Sequence, residues 1–300
     1  QQKATQLLLD EVRKRTSITL KTQRTSPGSD VAIILGCPSA MPDGQVKLPK
    51  GVFVPKEAEG YALWVSDSAA GEVRIYVMGR DERGMLFGVG RLLRLLHMKE
   101  NSLTLDSGTR LSTAPANPIR GHQIGYRNTA NSYDAWSVDQ YEQYFRDMVV
   151  FGTNSIELIP SLDPEERDSV HMKKSMWDMT VSLSSLLDDY GLDVWFWLAL
   201  KGDVADPAIA DAELESRRKL FAACKRIDDI FVPGGDPGDT HPDILMPWLK
   251  RMADVLHENH PDAGLWVSNQ GFTPEENTAF FGYIKEHNPD WLAGVVFGPW

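Results

Sequence analysis

The stretch Asp228-Asp229-Ile230-Phe231-Val232-Pro233-Gly234-Gly235-Asp236-Pro237-Gly238-Asp239-Thr240-His241-Pro242 decides the fold. An apolar run stops at two glycines and gives way to a loop of Asp, Pro and Gly. Pro242 then stands where a first helical turn accepts a residue without an N–H. The segment reads as one unit of strand, loop and helix. Strand-like runs also cover residues 119–126, 153–159, 193–200, 264–270 and 292–300, and helical patterns begin near Asp139, Met172, Ala208 and Pro274. Successive strands start roughly 30 to 40 residues apart, the period of a βα unit in a (β/α)8 barrel. An open doubly wound sheet alternates in the same way, but no strand here is followed by a G-x-G-x-x-G phosphate loop. Polar and aromatic residues recur instead at the C-terminal ends of the runs, where a barrel carries its site. The expectation is an α/β (β/α)8 TIM barrel over residues 114–300. Only six βα units are visible where a closed barrel needs eight, so the chain reads as cut after strand six.

Residues 1–113 read as an α+β accessory domain. Leu7, Leu8, Leu9 and Val12 recur at helical spacing, and residues 17–22, 30–36, 60–66 and 72–79 alternate as strands of a sheet with one covered face. Its cover is a helix over 83–97, striped by Leu86, Val89, Leu92 and Leu93. A linker of Pro and small polar residues, 112–118, closes the domain.

Thirty-one basic against 42 acidic side chains give a net charge of −11, which argues against a nucleic-acid partner held by bulk electrostatics. No run approaches the roughly 18 apolar residues of a membrane span. Cys37 and Cys224, each beside an apolar run, read as free thiols rather than a disulfide or metal site. The chain starts with Gln, which suits removal of an upstream segment and a secreted or periplasmic location.

The strand ends carry the chemistry. Arg120, His122, Tyr126 and Asn128 each read alone as a buried, hydrogen-bonded residue, and together as a polar pocket floor. Glu157 sits in an otherwise apolar run, where an ionised carboxylate needs either a salt-bridge partner such as Arg120 or a function. Trp195 and Trp197, at i and i+2, share a face and serve either as core or as a stacking surface for sugar rings. Asp236 and Asp239 are carboxylates in a rigid loop; alternatively Asp239 or Thr240 caps the next helix and Asp236 bonds its own loop. Asp236, Asp239, His241 and Asp243 lack a companion H-E-x-x-H or C-x-x-C pattern, so no metal or cofactor is called for. Trp266, Asn269, Gln270 and Trp300 complete the set, with amides that supply both donors and acceptors for hydroxyls. The candidate catalytic residues are Asp236, Asp239 and Glu157. The candidate binders of a carbohydrate substrate are Arg120, His122, Tyr126, Asn128, Trp195, Trp197, His241, Trp266, Asn269, Gln270 and Trp300.

The runs Glu59-Gly-Tyr61-Ala-Leu-Trp-Val65, Val73-Arg-Ile-Tyr-Val-Met-Gly79 and Arg83-Gly84-Met-Leu86-Phe87-Gly88 resemble the accessory domain of glycoside hydrolases that place a small α+β domain before a (β/α)8 barrel. These include the family 20 β-N-acetylhexosaminidases and the family 67 and 115 α-glucuronidases. Gly234-Gly235-Asp236 is similar to the Gly-Gly-Asp that ends strand four in the hexosaminidases. The resemblance implies that Asp236 orients the substrate's acetamido group, and in that family a Glu immediately after it is the general acid. Pro237 occupies that position here, so the resemblance leaves the acid to Asp239 or Glu157. The activity implied is glycosidic bond cleavage in a glycan or polysaccharide, with a hexosaminidase-like form ranked first. The alternatives are an α-glucuronidase-like hydrolase, with Arg120, Arg127 or Lys201 pairing the uronate, and a non-catalytic carbohydrate-binding protein on a degenerate hydrolase scaffold.

Overall fold

The computed structural model of the protein describes residues 2–23, 30–38, 48–67, 72–127, 133–236 and 240–297. The chain divides into two compact units: Gln1–Arg120 with Gln143–Thr153, and Gly121–Glu142 with Asn154–Trp300.

In the first unit, α1 (Gln2–Thr16) buries Ala4, Leu7, Leu8 and Val12 along one side and carries Arg13, Lys14 and Arg15 in its last turn, where cations suit the helix dipole. The strand expected over 17–22 does not form. Ser17 turns left-handed (φ 61°) and donates its N–H to Arg13 O at 2.9 Å, which spends its backbone on ending the helix. Strands β1 (Val31–Gly36), β2 (Tyr61–Asp67) and β3 (Val73–Gly79) follow, then α2 (Glu82–Leu95). Three short strands, β4 (His97–Lys99), β5 (Ser102–Thr104) and β6 (Arg110–Thr113), were not legible as alternation. The main sheet has the order β1-β3-β2-β6, parallel between β1 and β3 and antiparallel elsewhere. Asp81 caps α2 by accepting the Gly84 N–H at 2.7 Å.

Both faces of this sheet are covered, not one. Leu63 pairs with Val77 on the side where Gly88 of α2 meets Tyr61 and Val77. On the other side Ala62, Trp64 and Met78 form a buried cluster with Val52, and Trp64 stacks on Tyr76 at 4.6 Å. The bulk of Trp64 converts a face that alternation assigns to solvent into a second core.

In the second unit the strands β7 (Gly121–Ile124), β8 (Ser155–Leu158), β9 (Asp193–Trp197), β10 (Asp229–Pro233), β11 (Gly264–Ser268) and β12 (Leu292–Val296) form one sheet in sequential order. Every pairing is parallel, and the order never reverses. A doubly wound sheet has such a reversal at its ligand crevice, and this sheet has none. The connecting helices are α3 (Val138–Val150), whose residues from Gln143 on are counted with the first unit, α4 (Met176–Tyr190), α5 (Pro207–Ala223), α6 (Pro242–His257) and α7 (Pro274–His287). Three of them start on proline at the first turn, as Pro242 and Pro274 led one to expect.

Register sorts the strand side chains onto two faces. Ile156, Leu158, Val194, Phe196, Ile230, Val232, Leu265 and Val267 are all buried. The opposite face presents Gln123, Glu157, Trp195 and Asp229 in one row, and Trp197, Phe231 and Trp266 in the next, all partly exposed. Among the described residues, no helix is long and apolar enough to cross a membrane.

Candidate active site

The loops after β10 and β11 are tied together through backbone. Gly234 N–H donates to Ser268 O at 3.1 Å, and Gly235 N–H to Gln270 O at 2.7 Å. Glycine is needed for this approach: a Cβ on Gly234 would lie 2.4 Å from Ser268 O, and one on Gly235 would lie 2.6 Å from Gln270 O. The result brings Asp236 to Gln270, whose Nε2 donates to Asp236 Oδ2 at 2.6 Å.

The turn that carries Gln270 is itself anchored. Asn269 donates to Asn277 Oδ1 at 2.7 Å, and Asn277 donates to Phe272 O at 3.1 Å and Thr273 O at 2.9 Å. Thr273 and Glu276 form a capping box at the start of α7, and Phe272 packs on the buried Phe280. Asn269, expected to face a ligand, is thus engaged in holding this turn.

Two further carboxylates lie on the partly exposed face. Glu157 accepts from Gln123 Nε2 at 2.6 Å, not from Arg120. Burial pushes the Glu157 carboxyl above its ordinary value against the opposing pull of that hydrogen bond. Asp229, which sequence reading passed over, accepts from Trp266 Nε1 at 2.7 Å. Burial pushes Asp229 up to about 6; the Trp266 hydrogen bond opposes the rise, and the charges of Asp228 and Asp193 add to it. The one signal available for Asp229 was its parity with Phe231, two residues on. Trp195 packs on Trp266 with ring centroids 5.4 Å apart, so the two form a common aromatic surface beside Trp197.

The remaining expected residues fall elsewhere. Arg120 belongs to the first unit, where it donates to Glu59, to Gly152 O at 2.7 Å and to Asn117 O at 2.8 Å. His122 is in register with Ile156, on the face opposite Glu157. Tyr126 is buried, its hydroxyl 3.4 Å from Lys174 O. His241 caps α6 by accepting the Asp243 N–H at 3.3 Å, the part expected of Asp239 or Thr240. Thr240 instead donates to Asp203 Oδ1 at 2.7 Å and accepts from Val204 N at 3.1 Å. Asn128, Asp239 and Trp300 lie outside the described residues.

The loop after β9 rests on a buried ion pair. Arg217, with no exposed side-chain surface, contacts Glu213 and donates to Ala199 O at 3.0 Å, while Glu213 Oε1 accepts from Lys201 N at 3.0 Å. The Lys201 ammonium lies 3.3 Å from Glu166.

The sequence matches no protein-family model and no curated protein. Its fold is similar to that of solved structures. CpGH84D is similar over 99% of this chain and 51% of its own length, with a TM-score of 0.58 at 12% identity. CpGH89 from Clostridium perfringens, solved in complex with its substrate GlcNAc-alpha-1,4-galactose, is similar over 93% of this chain and 38% of its own, with a TM-score of 0.50 at 11% identity. The chain thus spans about half or less of the structures it resembles, and at these identities the likeness concerns fold.

Proposed function

We propose that this chain carries the accessory domain, over residues 1–113, and the first six βα units of a (β/α)8-barrel glycoside hydrolase, with Asp236 at the reaction centre. The observation that carries the reading is the Asp236 carboxylate held by the Gln270 amide just past the C-terminal ends of consecutive parallel strands. One Asp236 oxygen is engaged by Gln270, and the other orients the substrate. Glu157, whose carboxyl burial pushes above its ordinary value, is one candidate for donating the proton that the leaving oxygen needs. Asp239 is the other candidate for that proton. Trp195, Trp197 and Trp266 offer ring faces for stacking against a pyranose.

A hexosaminidase-like specificity is supported by the Gly234-Gly235-Asp236 pattern and by the N-acetylhexosamine in the CpGH89 complex. A uronate-cleaving activity ranks below it: of the three candidate cations, Arg120, Arg127 and Lys201, two already face carboxylates, Arg120 facing Glu59 and Lys201 facing Glu166. The test is a panel of 4-nitrophenyl glycosides that includes N-acetylglucosaminides and glucuronides, run on wild-type protein with its whole barrel and on its Asp236→Asn variant. The expected outcome is turnover of an N-acetylglucosaminide that falls by about 100-fold or more in the variant. Equal turnover by a folded Asp236→Asn removes Asp236 from the mechanism, and tight glycan binding without turnover favours the binding-protein reading.

A further inference from the structure

We infer that Gln270 is the positioning residue for Asp236, acting through the carboxylate and not through direct contact with substrate; this rests on the proposed role of Asp236. The Gln270 side-chain nitrogen can only donate, so the 2.6 Å contact fixes Asp236 Oδ2 as an acceptor and leaves Oδ1 as the working oxygen. Such a bond positions only if its donor is fixed, and Gln270 is fixed at several points. Its N–H donates to Ser268 Oγ at 3.3 Å, and its carbonyl accepts Gly235 N–H at 2.7 Å. Ser268 is fully buried. The next residue, Gly271, is left-handed (φ 77°), and its Cα lies against Gly235 so closely that a Cβ would come within 2.4 Å of Gly235 O. On the far side the turn is bolted to α7 through Asn269 and Asn277. Gly234-Gly235-Asp236 and the glutamine turn are therefore held to one another, although 34 residues separate Asp236 from Gln270.

A sugar-binding Gln270 and a positioning Gln270 give different kinetics. Removing a hydrogen bond to a charged group is expected to lower kcat by about 10- to 100-fold. In Gln270→Ala, and in Gln270→Met, which keeps the chain length and loses only the donor, KM and the affinity for a competitive sugar inhibitor stay within about twofold of wild type. Combined with Asp236→Asn, either change adds less than about twofold, since the group it acts through has gone. Gln270→Glu regains activity as pH falls, because a protonated Glu is again a donor, a profile that a purely structural role would not produce. Independently of turnover, the Gln270 side-chain amide resonance shifts in Asp236→Ala. A rise in KM and inhibitor constant with little change in kcat, or losses that add fully to that of Asp236→Asn, overturns the positioning role alone. So does an unmoved amide resonance. A wild type that hydrolyses no glycoside overturns the glycosidase reading and this role with it.

Discussion

Replacing Gly271 by Ala tests the clamp between the two loops. Gly271 sits at φ 77°, where a residue with a Cβ costs about 1 to 2 kcal/mol. Its added methyl would also meet Gly235 O at 2.4 Å and Gly235 C at 3.0 Å, backbone atoms that cannot swing aside as a side chain can. Relieving that overlap by separating the loops costs about 1 to 3 kcal/mol more. The total, about 2 to 5 kcal/mol, corresponds to a fall in Tm of about 5 to 15 °C for a unit of this size. The matched control is Gly282 in α7, which is exposed and where an added methyl would have nothing within 4 Å, so Gly282→Ala should raise stability by about 0.5 to 1 kcal/mol. Guanidinium unfolding of the three proteins at pH 7 reads both values. If Gly271→Ala lies within about 0.5 kcal/mol of wild type while the control gains, the loops are not clamped as described.

Three further outcomes are expected. Asp229 holds its proton more tightly when folded than when unfolded, so between about pH 4 and 6 the folded state binds more protons and stability falls as pH rises through that window. Asp229→Asn should flatten this part of the stability curve in urea titrations; an unchanged slope would show that Asp229 does not cause it. Glu213→Gln strands the buried Arg217 guanidinium and should cost about 3 to 5 kcal/mol, far more than Arg217→Met with Glu213→Leu together; a single-variant loss below about 1 kcal/mol would refute the pair's importance. Gly235→Ala should lower kcat along with stability, because its methyl would lie 2.6 Å from Gln270 O and 2.9 Å from the Phe272 ring; full activity would uncouple the glycine pair from Asp236.

Most strands of the second unit were legible because they are short apolar runs ended by glycine, proline or an amide, β7 with its Gly-His-Gln-Ile being the exception. Residues 228–234, for example, became β10 at Asp229–Pro233. What sequence could not supply was register. Pro233 lies opposite Ser268, and only that pairing brings Asp236 to Gln270. The same limit hid the Asp229–Trp266 bond, since an acid at the start of an apolar run looks like a strand boundary. Arg120 and Glu59 are 61 residues apart, and nothing local in either segment announces the other. In the first unit, β4, β5 and β6 are too short for alternation to register, while residues 17–22, the irregular stretch after α1, alternate like a strand without forming one.

In the proposed mechanism Asp236 meets the sugar at the strand ends with Gln270 behind it. A crystal structure of Asp236→Asn with its bound aryl glycoside tests this most directly. The glycosidic bond is expected beside residue 236, with Gln270 still on the far side of that residue and not on the sugar. A glycoside bound away from the ends of β10 and β11, or one that Gln270 contacts directly while residue 236 stands apart, would contradict it.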